Sequence, residues 1–247
     1  MESDTVTIVQ ARASSTRLPG KVFEPIAGVP MVIRVLRRAR AIGEPVVLAT
    51  SDDVSDDPLA MLVHDDGWQV VRGPRDDVLE RFVRATPATA RYVVRITADC
   101  PLLDPQVSRA ILAALRAGGA DYASNTLTPT YPDGLDCEAF TADSLRAAAA
   151  EAILPSDREH VTPFVWQRPG RFRLVNLSRV PDLSTERWTV DDAHDLTFVR
   201  AIYERLGDAA DEADLDRILA VLELEPALRA LNAGSVRNAG YLRSGER

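Results

Sequence analysis

The first 117 residues alternate four times between short apolar, β-branched segments and amphipathic helical segments. Strand patterns lie at 5–10, 45–49, 68–71 and 92–96, and helical patterns lie at 30–42, 57–64, 76–85 and 105–117. Strands that alternate with helices in this way form a parallel sheet covered on both faces, with right-handed crossovers. The pattern therefore predicts an α/β fold whose ligand lies beyond the carboxyl ends of the strands.

The alternation ends after Gly119, and shorter elements follow. We predict strands at 121–125, 136–140, 172–177 and 187–190, helices at 142–153, 157–167 and 192–206, and helical structure on to about 231. No internal repeat or clear linker divides the chain. The 247 residues are therefore expected to form one domain, 1–247, with a core at about 5–205 and C-terminal helices at 206–240.

The charge balance removes several functional classes. Lys and Arg number 29 against 37 Asp and Glu, a formal net charge of -8, so a protein that binds nucleic acid through a basic face is not expected. The one tight basic cluster, Arg37, Arg38 and Arg40, is interpreted as the solvated face of a helix.

No apolar run approaches the ~18 residues of a membrane span. Cys100 and Cys137 match neither a disulfide framework nor a zinc site, and no signal peptide is expected, so we predict a cytoplasmic protein.

Lys21 is the only lysine, and the other 28 basic residues are arginine. It follows Gly20 in a loop placed directly after the first predicted strand. A compact ammonium suits a phosphate where a point charge is needed rather than the planar fork of arginine. The loop also contains other cations and hydroxyls: Arg12, Ser14, Ser15, Thr16 and Arg17. Such a loop predicts an anion cradle for phosphates, although it matches neither the Walker A nor the G-x-G-x-x-G pattern.

Two carboxylates follow predicted strands and are candidate metal ligands. Asp99 comes after the strand at 92–96, and Asp191 after the strand at 187–190. Carboxylate oxygens are the donors that Mg²⁺ prefers. Asp99 has the alternative of capping the next turn, whereas Asp192 is a natural N-cap for the helix that follows and leaves Asp191 without that duty. We therefore predict that Asp99 and Asp191 converge on Mg²⁺ beside a triphosphate.

A charged triplet, Arg158-Glu159-His160, lies inside an otherwise apolar helical pattern. His160 alone has the alternative of being a core histidine with satisfied hydrogen bonds. Together with Arg158 it indicates a surface that faces an anionic substrate.

The stretch from Gln10 to Lys21 resembles the N-terminal signature of the sugar-acid cytidylyltransferases, typified by CMP-KDO and CMP-sialate synthetases. The resemblance is nearer to one branch, the spore-coat polysaccharide biosynthesis protein F family. Further matching motifs lie at 72–73, 77–82, 95–101, 121–125, 131–136, 158–163, 187–191 and 195–196. The resemblance covers residues 5 to about 205.

The resemblance implies a Rossmann-like nucleotidyltransferase (GT-A-like) fold, a three-layer α/β/α sandwich with a mixed, mostly parallel sheet. It implies transfer of CMP from CTP to an acidic acceptor, a sugar acid or similar molecule, with release of pyrophosphate. It further implies dependence on Mg²⁺ or Mn²⁺ and a homodimer.

It also assigns roles to residues by analogy. The catalytic residues would be Lys21, Arg17 and Arg12, and the metal ligands Asp99 and Asp191. The nucleotide-binding residues would be Ala11, Arg12, Ser14, Ser15, Arg17, Gly20, Lys21, Arg72, Gly73, Thr97 and Ala98. The acceptor-binding residues would be Asn125, Tyr131, Asp136, Glu138, Arg158, Glu159 and His160.

Three alternatives remain open from the sequence. In the first alternative, the acceptor of CMP is a phosphonate or another non-sugar molecule. In the second, the chain is a glycosyltransferase that uses a nucleotide-sugar, although Val190-Asp191-Asp192 lacks the residue that separates the two aspartates of an Asp-x-Asp metal motif. The third is a binding protein without catalysis. Pyrophosphate release separates nucleotidyl transfer from the last two.

Overall fold

The computed structural model describes residues 3–15 and 17–233. The strands are β1 (Thr5–Gln10), β2 (Pro25–Ile26), β3 (Val29–Pro30), β4 (Val46–Ser51), β5 (Gln69–Gly73), β6 (Tyr92–Thr97), β7 (Tyr122–Ser124), β8 (Glu138–Thr141) and β9 (Leu174–Asn176). The α-helices are α1 (Met31–Arg40), α2 (Asp57–Asp65), α3 (Val78–Ala85), α4 (Pro105–Gly118), α5 (Ala142–Glu151), α6 (Pro155–His160), α7 (Pro163–Trp166), α8 (Ala193–Leu206) and α9 (Leu215–Leu224). Short 3-10 turns lie at Lys21–Phe23, Val54–Asp56, Gly207–Glu212 and Pro226–Asn232.

Seven strands form one sheet in the order β5-β4-β1-β6-β8-β7-β9. The pairs among β5, β4, β1 and β6 are parallel, β8 is antiparallel to both of its neighbours, and β9 is parallel to β7. The sheet is therefore mixed and mostly parallel, and the expected fold class is confirmed. Because β1 pairs with both β4 and β6, the loops that follow these strands leave the same edge of the sheet side by side.

Helices cover both faces of the sheet and create two apolar cores. On β1, Val6 and Ile8 contribute to one core and Val9 to the other, as the alternation of side chains along a strand requires. The first core lies against α3, α5 and α7, and the second against α1, α2, α4, α8 and α9. The arrangement is a three-layer sandwich. No helix of the described residues is long and apolar enough to cross a membrane.

Two sequence predictions about elements were wrong. The segment 187–190 is not a strand: it makes one isolated bridge, from Arg187 to Asp133, and its other backbone hydrogen bonds go to loops. The Val190 N–H donates to the Asp99 carbonyl at 2.8 Å, and the Trp188 N–H donates to the Asp133 carbonyl at 2.6 Å.

The helix predicted at 157–167 is two helices, α6 and α7, because Val161 adopts a φ of 72° between them. The predicted C-terminal helices at 206–240 are described to 233 as one helix and two 3-10 turns, and 234–240 lie outside the described residues.

The interpretation of the basic cluster on α1 was wrong for Arg38, which is fully buried. Its guanidinium donates to the carbonyl oxygens of Leu103 at 2.6 Å and Ala210 at 2.7 Å, and also to that of Ala213. Arg37 is exposed, as predicted. Arg40 lies over the ring of Trp68 at 3.9 Å. Arg38 therefore joins α1 to the segment that follows α8.

Gly134 packs against the backbone of the segment 187–190. It has a φ of 113°, and a Cβ at this position would lie 2.5 Å from both the Thr189 nitrogen and the Trp188 carbonyl carbon. A distance this short forces the backbone to move. Only glycine therefore allows the turn at 132–135 to lie so close to the strand-like segment that carries Asp191.

We expect Gly134→Ala to lower the free energy of unfolding by roughly 2 kcal/mol, because the added methyl group overpacks two backbones and strains the φ angle. The measurement is urea unfolding followed by circular dichroism. Gly170→Ala is the matched control, since a Cβ there meets nothing within 4 Å. Equal unfolding midpoints for the two variants would show that the close approach is relaxed in solution.

Candidate active site

Three segments meet at the carboxyl edge of the parallel strands, and Lys21 joins them. Its ammonium donates to Asp99 Oδ2 at 3.1 Å, to Asp191 Oδ1 at 3.1 Å and to the Val190 carbonyl at 2.7 Å. The two carboxylates lie 78 and 170 residues further along the chain. The Lys21 side chain is 12% exposed. The structure thus brings together the predicted Lys21, Asp99 and Asp191, here called the Lys21 cluster.

The loop after β1 is fixed at both ends around this cluster. Gly20 has a φ of 72°, which glycine adopts without strain, and its N–H donates to the Ala13 carbonyl at 3.2 Å. The Ala13 N–H donates to Asp56 at 2.6 Å, and Asp56 is itself buried. Val22 is buried directly after Lys21. These contacts set the direction in which Lys21 leaves the backbone.

Asp99 is held through its backbone, and its carboxylate accepts a hydrogen bond from Lys21. The Asp99 carbonyl accepts from the Val190 N–H at 2.8 Å and from the Thr189 hydroxyl at 3.1 Å. The cap of α4 is Asp104, whose carboxylate accepts from the Gln106 N–H at 2.7 Å. Asp104, and not Asp99, is therefore the cap of this helix.

The charges of the cluster stabilise one another. Burial alone would raise the pKa of Asp99, but the Lys21 charge and a hydrogen bond from Thr97 lower that pKa to about 2. Burial alone would lower the pKa of Lys21, but the carboxylates of Asp99 and Asp191 raise this pKa above its ordinary value. At neutral pH the cluster is therefore an ammonium between carboxylates.

Asp191 carries three cationic contacts. Oδ1 accepts from Arg17 at 2.8 Å as well as from Lys21, and Oδ2 accepts from Arg187 at 2.9 Å. Asp192 is the N-cap of α8, as predicted, with its carboxylate accepting from the His194 and Asp195 N–H groups at 2.8 and 3.1 Å. Asp192 therefore caps the helix, and the carboxylate of Asp191 contacts Lys21, Arg17 and Arg187.

Arg187 positions Asp191, and the sequence analysis assigned it no role. Its guanidinium contacts Asp133 at 2.7 Å and Asp195 at 2.9 Å in addition to Asp191, and Arg187 is 8% exposed. Burial lowers the pKa of Arg187, but the hydrogen bonds to Asp195 and Asp191 outweigh this and raise the pKa. The sequence did contain a sign of its importance, because Arg187 belongs to the family motif at 187–191, which precedes the motif at 195–196.

The other residues predicted to bind nucleotide line the same edge or support it. Arg12 is exposed, Ser14 and Ser15 are half-buried, and Thr16 lies outside the described residues. Ala11 is buried and its N–H donates to the Ala49 carbonyl at 3.2 Å. The Ala98 N–H donates to the Gln10 carbonyl at 3.0 Å, which places the loop with Thr97 beside the loop after β1.

Arg72 and Gly73 have supporting contacts at the end of β5. The Arg72 guanidinium donates to the carbonyls of Ser51 at 2.8 Å and Asp53 at 3.0 Å and pairs with Asp57 at 2.6 Å. It therefore fixes the loop after β4. Gly73 leaves room for Arg81, since a Cβ there would lie 2.9 Å from Arg81 Cγ.

Arg81 is a second residue that the sequence analysis missed. It is 1% exposed, and its Nη2 donates to the Arg75 carbonyl at 3.3 Å. Its Nε and Nη1 have no hydrogen-bond partner among the described residues. Burial is the main cause that lowers the pKa of Arg81; the charge of Asp56 opposes this shift and the charge of Arg12 adds to it. Its signal in the sequence was the motif at 77–82.

Glu138 is the centre of a buried polar network on the predicted acceptor side. It accepts from the Tyr122 hydroxyl at 2.6 Å and the Thr162 hydroxyl at 2.5 Å, and it pairs with Arg95. Arg95 also donates to the Gln10 side chain at 3.1 and 3.2 Å. The network therefore extends from β8 to the end of β1, where the loop that contains Arg12 and Lys21 begins.

His160 lies near this network. Burial is the main cause that lowers the pKa of His160; Glu159 opposes the shift, and Arg95 and Arg12 add to it. The lowered pKa makes the imidazole neutral at pH 7. His160 is half-buried, so it is not an enclosed core histidine.

Among the remaining predicted acceptor residues, Arg158 and Asn125 have contacts with the protein's own side chains and backbone. Arg158 donates to Asp77 at 2.7 Å and to the carbonyls of Ala149 and Ala152 at 3.2 and 3.1 Å, so its guanidinium joins α3 to the end of α5. Asn125 is buried and bonds the backbone of Leu135 and Cys137 at 2.8 and 3.0 Å. Tyr131 is buried near Arg179, and Asp136 and Glu159 are half-buried.

The Lys21 cluster fits a divalent cation only with help from a substrate. Over residues 3–15 and 17–233 no group of three or more His, Cys, Asp or Glu side chains could hold a metal ion. Asp99 and Asp191 nevertheless direct one oxygen each at a single cation, the Lys21 ammonium. Mg²⁺ is commonly bound by one or two carboxylates together with substrate phosphates. The residues present therefore fit such a site.

Comparison with known proteins gives a consistent result. The profile of the family described as Cytidylyltransferase matches residues 6–225. The spore coat polysaccharide biosynthesis protein SpsF of Bacillus subtilis is 31% identical over 222 residues, which covers 85% of this chain and 90% of that protein. The 3-deoxy-manno-octulosonate cytidylyltransferase of Paramagnetospirillum magneticum is 37% identical over 132 residues, 50% of this chain and 52% of that protein.

The structure of a cytidylyltransferase from Leptospira borgpetersenii superposes with a TM-score of 0.86 at 25% identity, covering 94% of this chain and 98% of that one. The matched profile includes all three segments of the Lys21 cluster. The chain therefore belongs to the cytidylyltransferase family, within the sugar-acid cytidylyltransferase superfamily, and is a nucleotidyltransferase enzyme.

Proposed function

We propose that this cytidylyltransferase transfers CMP from CTP to a hydroxyl of a small acidic acceptor, a sugar acid or similar molecule, in a reaction that depends on Mg²⁺ or Mn²⁺. The observation that carries the proposal is the Lys21 cluster: an ammonium and two carboxylates at the carboxyl edge of the sheet. The sugar acid in the name of the Paramagnetospirillum relative supports the acceptor class. The homodimer implied by the resemblance remains a prediction.

In the proposed reaction the acceptor oxygen attacks the α-phosphorus in line and pyrophosphate leaves. Transfer of this kind depends on positioning and on neutralising charge more than on covalent help from the protein. Lys21, Arg17 and Arg12 would bind the triphosphate oxygens as negative charge moves to the leaving group. Asp99 and Asp191 would hold the divalent cation, which when bound supplies further positive charge to the phosphates.

The acceptor side supports a more specific assignment than the sequence did. Because Arg158 is committed to Asp77 and to α5, its charge is not available to an acceptor carboxylate. Arg12 is exposed and lies close enough to His160 to lower its pKa. We therefore propose that Arg158 has a structural role, and that His160, near the loop that carries Arg12, contacts the acceptor.

Nucleotide choice is tested without knowledge of the acceptor. Thermal unfolding is measured with CTP, UTP, ATP and GTP, each with and without Mg²⁺, for the wild type and Lys21→Ala. A ligand present at 100 times its Kd stabilises the folded state by about 2.7 kcal/mol. We expect stabilisation by CTP with Mg²⁺ and its loss in Lys21→Ala. No stabilisation by any triphosphate would overturn the proposal.

An acceptor screen then follows pyrophosphate release in the presence of CTP and Mg²⁺. Sugar acids form one arm and phosphonates the other, so that the two acceptor classes are compared directly. Release with a phosphonate alone would replace the sugar acid in the proposal. A nucleotide-sugar as donor would release no pyrophosphate.

A further inference from the structure

Lys21 occupies the position between the two carboxylates that a divalent cation would use. Its ammonium is 3.1 Å from one oxygen of Asp99 and 3.1 Å from one oxygen of Asp191. The Val190 carbonyl, at 2.7 Å, supplies a third oxygen. The Lys21 side chain is 12% exposed, so its ammonium is largely buried and is held by three oxygen acceptors.

A metal ion and this ammonium compete for the same oxygens. Mg²⁺ requires its oxygen ligands at about 2.0–2.1 Å, and a cation drawn that close to Asp99 and Asp191 would lie beside the Lys21 charge. Two positive charges in a partly desolvated crevice repel strongly. Arg17 and Arg187 add to this, since both contact the carboxylate of Asp191.

A bound triphosphate would weaken the hold of Lys21 and Arg17 on the two carboxylates, because its phosphate oxygens are alternative partners for these two cations. Lys21 and Arg17 belong to one loop, whereas Asp99 and Asp191 belong to two others, so the cations can turn to phosphate while the carboxylates stay in place. The carboxylates are anchored independently of Lys21: Asp99 by its backbone contacts to Thr189 and Val190, and Asp191 by Arg187.

We propose that Lys21 is an internal placeholder for the divalent cation, so that the free enzyme binds metal weakly and the metal enters together with the nucleotide. This inference rests on the proposed function, in which a nucleoside triphosphate binds at the Lys21 cluster. It accounts for the single lysine of the chain. A compact ammonium fits between two carboxylates and can exchange with a metal ion, whereas the planar fork of arginine would hold them permanently.

The test measures Mn²⁺ binding in the absence of nucleotide, by electron paramagnetic resonance of the free ion. Lys21→Met removes the charge and keeps the chain length, and we expect it to tighten Mn²⁺ binding by about 10-fold or more over the wild type, within the range of typical coupling between sites. Arg84→Met is the matched control: it removes an exposed cation of α3, whose ion pair is with Glu80 and not with either carboxylate of the cluster. Its Mn²⁺ affinity should equal that of the wild type.

A second readout guards against poor folding of the variant. In thermal unfolding, Mn²⁺ alone should stabilise Lys21→Met and Lys21→Gln and leave the wild type unchanged. Asp99→Asn should abolish Mn²⁺ binding in the Lys21→Met background. If Lys21 only orders the loop, Lys21→Met will bind Mn²⁺ no better than the wild type, and the proposal is overturned.

CTP affinity is measured in the same proteins, with EDTA and with Mn²⁺. In the wild type we expect Mn²⁺ to tighten CTP binding, and in Lys21→Met we expect weaker CTP binding together with the tighter Mn²⁺ binding. If Lys21 is a placeholder, its replacement by methionine weakens CTP binding and tightens Mn²⁺ binding in the same protein. Absence of CTP binding under every condition would refute the proposed function, whereas normal CTP binding with tight Mn²⁺ binding by the free wild type would refute the placeholder alone.

Discussion

Replacing Lys21 with alanine is expected to reduce pyrophosphate release by about 100-fold or more, because loss of one charge-stabilising donor from a desolvated site costs on the order of 10²–10³ in rate. Lys21 is the residue at which the three segments of the site meet, with contacts to Asp99, Asp191 and Val190. The rate is measured by coupled detection of pyrophosphate with the acceptor found in the screen.

Lys21→Arg should fail almost as badly, although it keeps the charge, because a planar guanidinium does not fit where a compact ammonium makes three contacts. Arg84→Ala, at an exposed position of α3, serves as the control and should keep full activity. Near-normal turnover by Lys21→Ala, with its folding verified by circular dichroism, would remove Lys21 from the catalytic machinery.

Replacing Arg38 with methionine is expected to lower the free energy of unfolding by about 3 kcal/mol or more. The substitution removes the Arg38 donor from the buried carbonyls of Leu103 and Ala213, and it leaves the carbonyl of Ala210 with only a long bond from the Ala213 N–H at 3.4 Å. Each buried group left unpaired costs about 1–3 kcal/mol. Desolvation is the main cause that lowers the pKa of Arg38, so the bonds to these carbonyls must offset a considerable cost of burial.

Urea unfolding measures this effect, and the neighbouring residue provides the control. Arg37 lies on the same helix and is exposed, so Arg37→Met should change the free energy of unfolding by less than about 0.5 kcal/mol. If both substitutions have the same small effect, the three carbonyls are satisfied in some other way, and Arg38 is not the joint between α1 and the C-terminal segment.

The first half of the fold was predictable because its patterns are local. Strands β1, β4, β5 and β6 were predicted within a few residues of their observed bounds, and so were the helices between them. The meeting of Lys21 with Asp99 followed from topology, since loops after adjacent parallel strands leave the same edge of the sheet. The roles assigned to these residues remain predictions.

The parts that sequence reasoning missed depend on distant contacts. The segment 187–190 is apolar and β-branched, as a strand is, but its hydrogen bonds go to Asp99 and Asp133, far away in the chain. Arg38 and Arg81 look like surface charges in the sequence, yet both are buried. Their partners or neighbours are set by tertiary packing, which no local pattern records. Arg158 was predicted to face the acceptor, and its contacts to Asp77 and Ala152, which join two helices, were not visible in the sequence.

The bond between Arg38 and the carbonyls at 210 and 213 has a consequence for anyone who wishes to shorten or recombine this enzyme. From the sequence alone the 42 residues after 205 look dispensable, because the sequence motifs end there. Cutting the chain at that point would leave the Arg38 guanidinium buried with two of its three acceptors gone. A minimal unit must therefore retain the chain through at least Ala213, and in a chimaera the segment with Arg38 and the segment with Ala210 and Ala213 must come from the same parent.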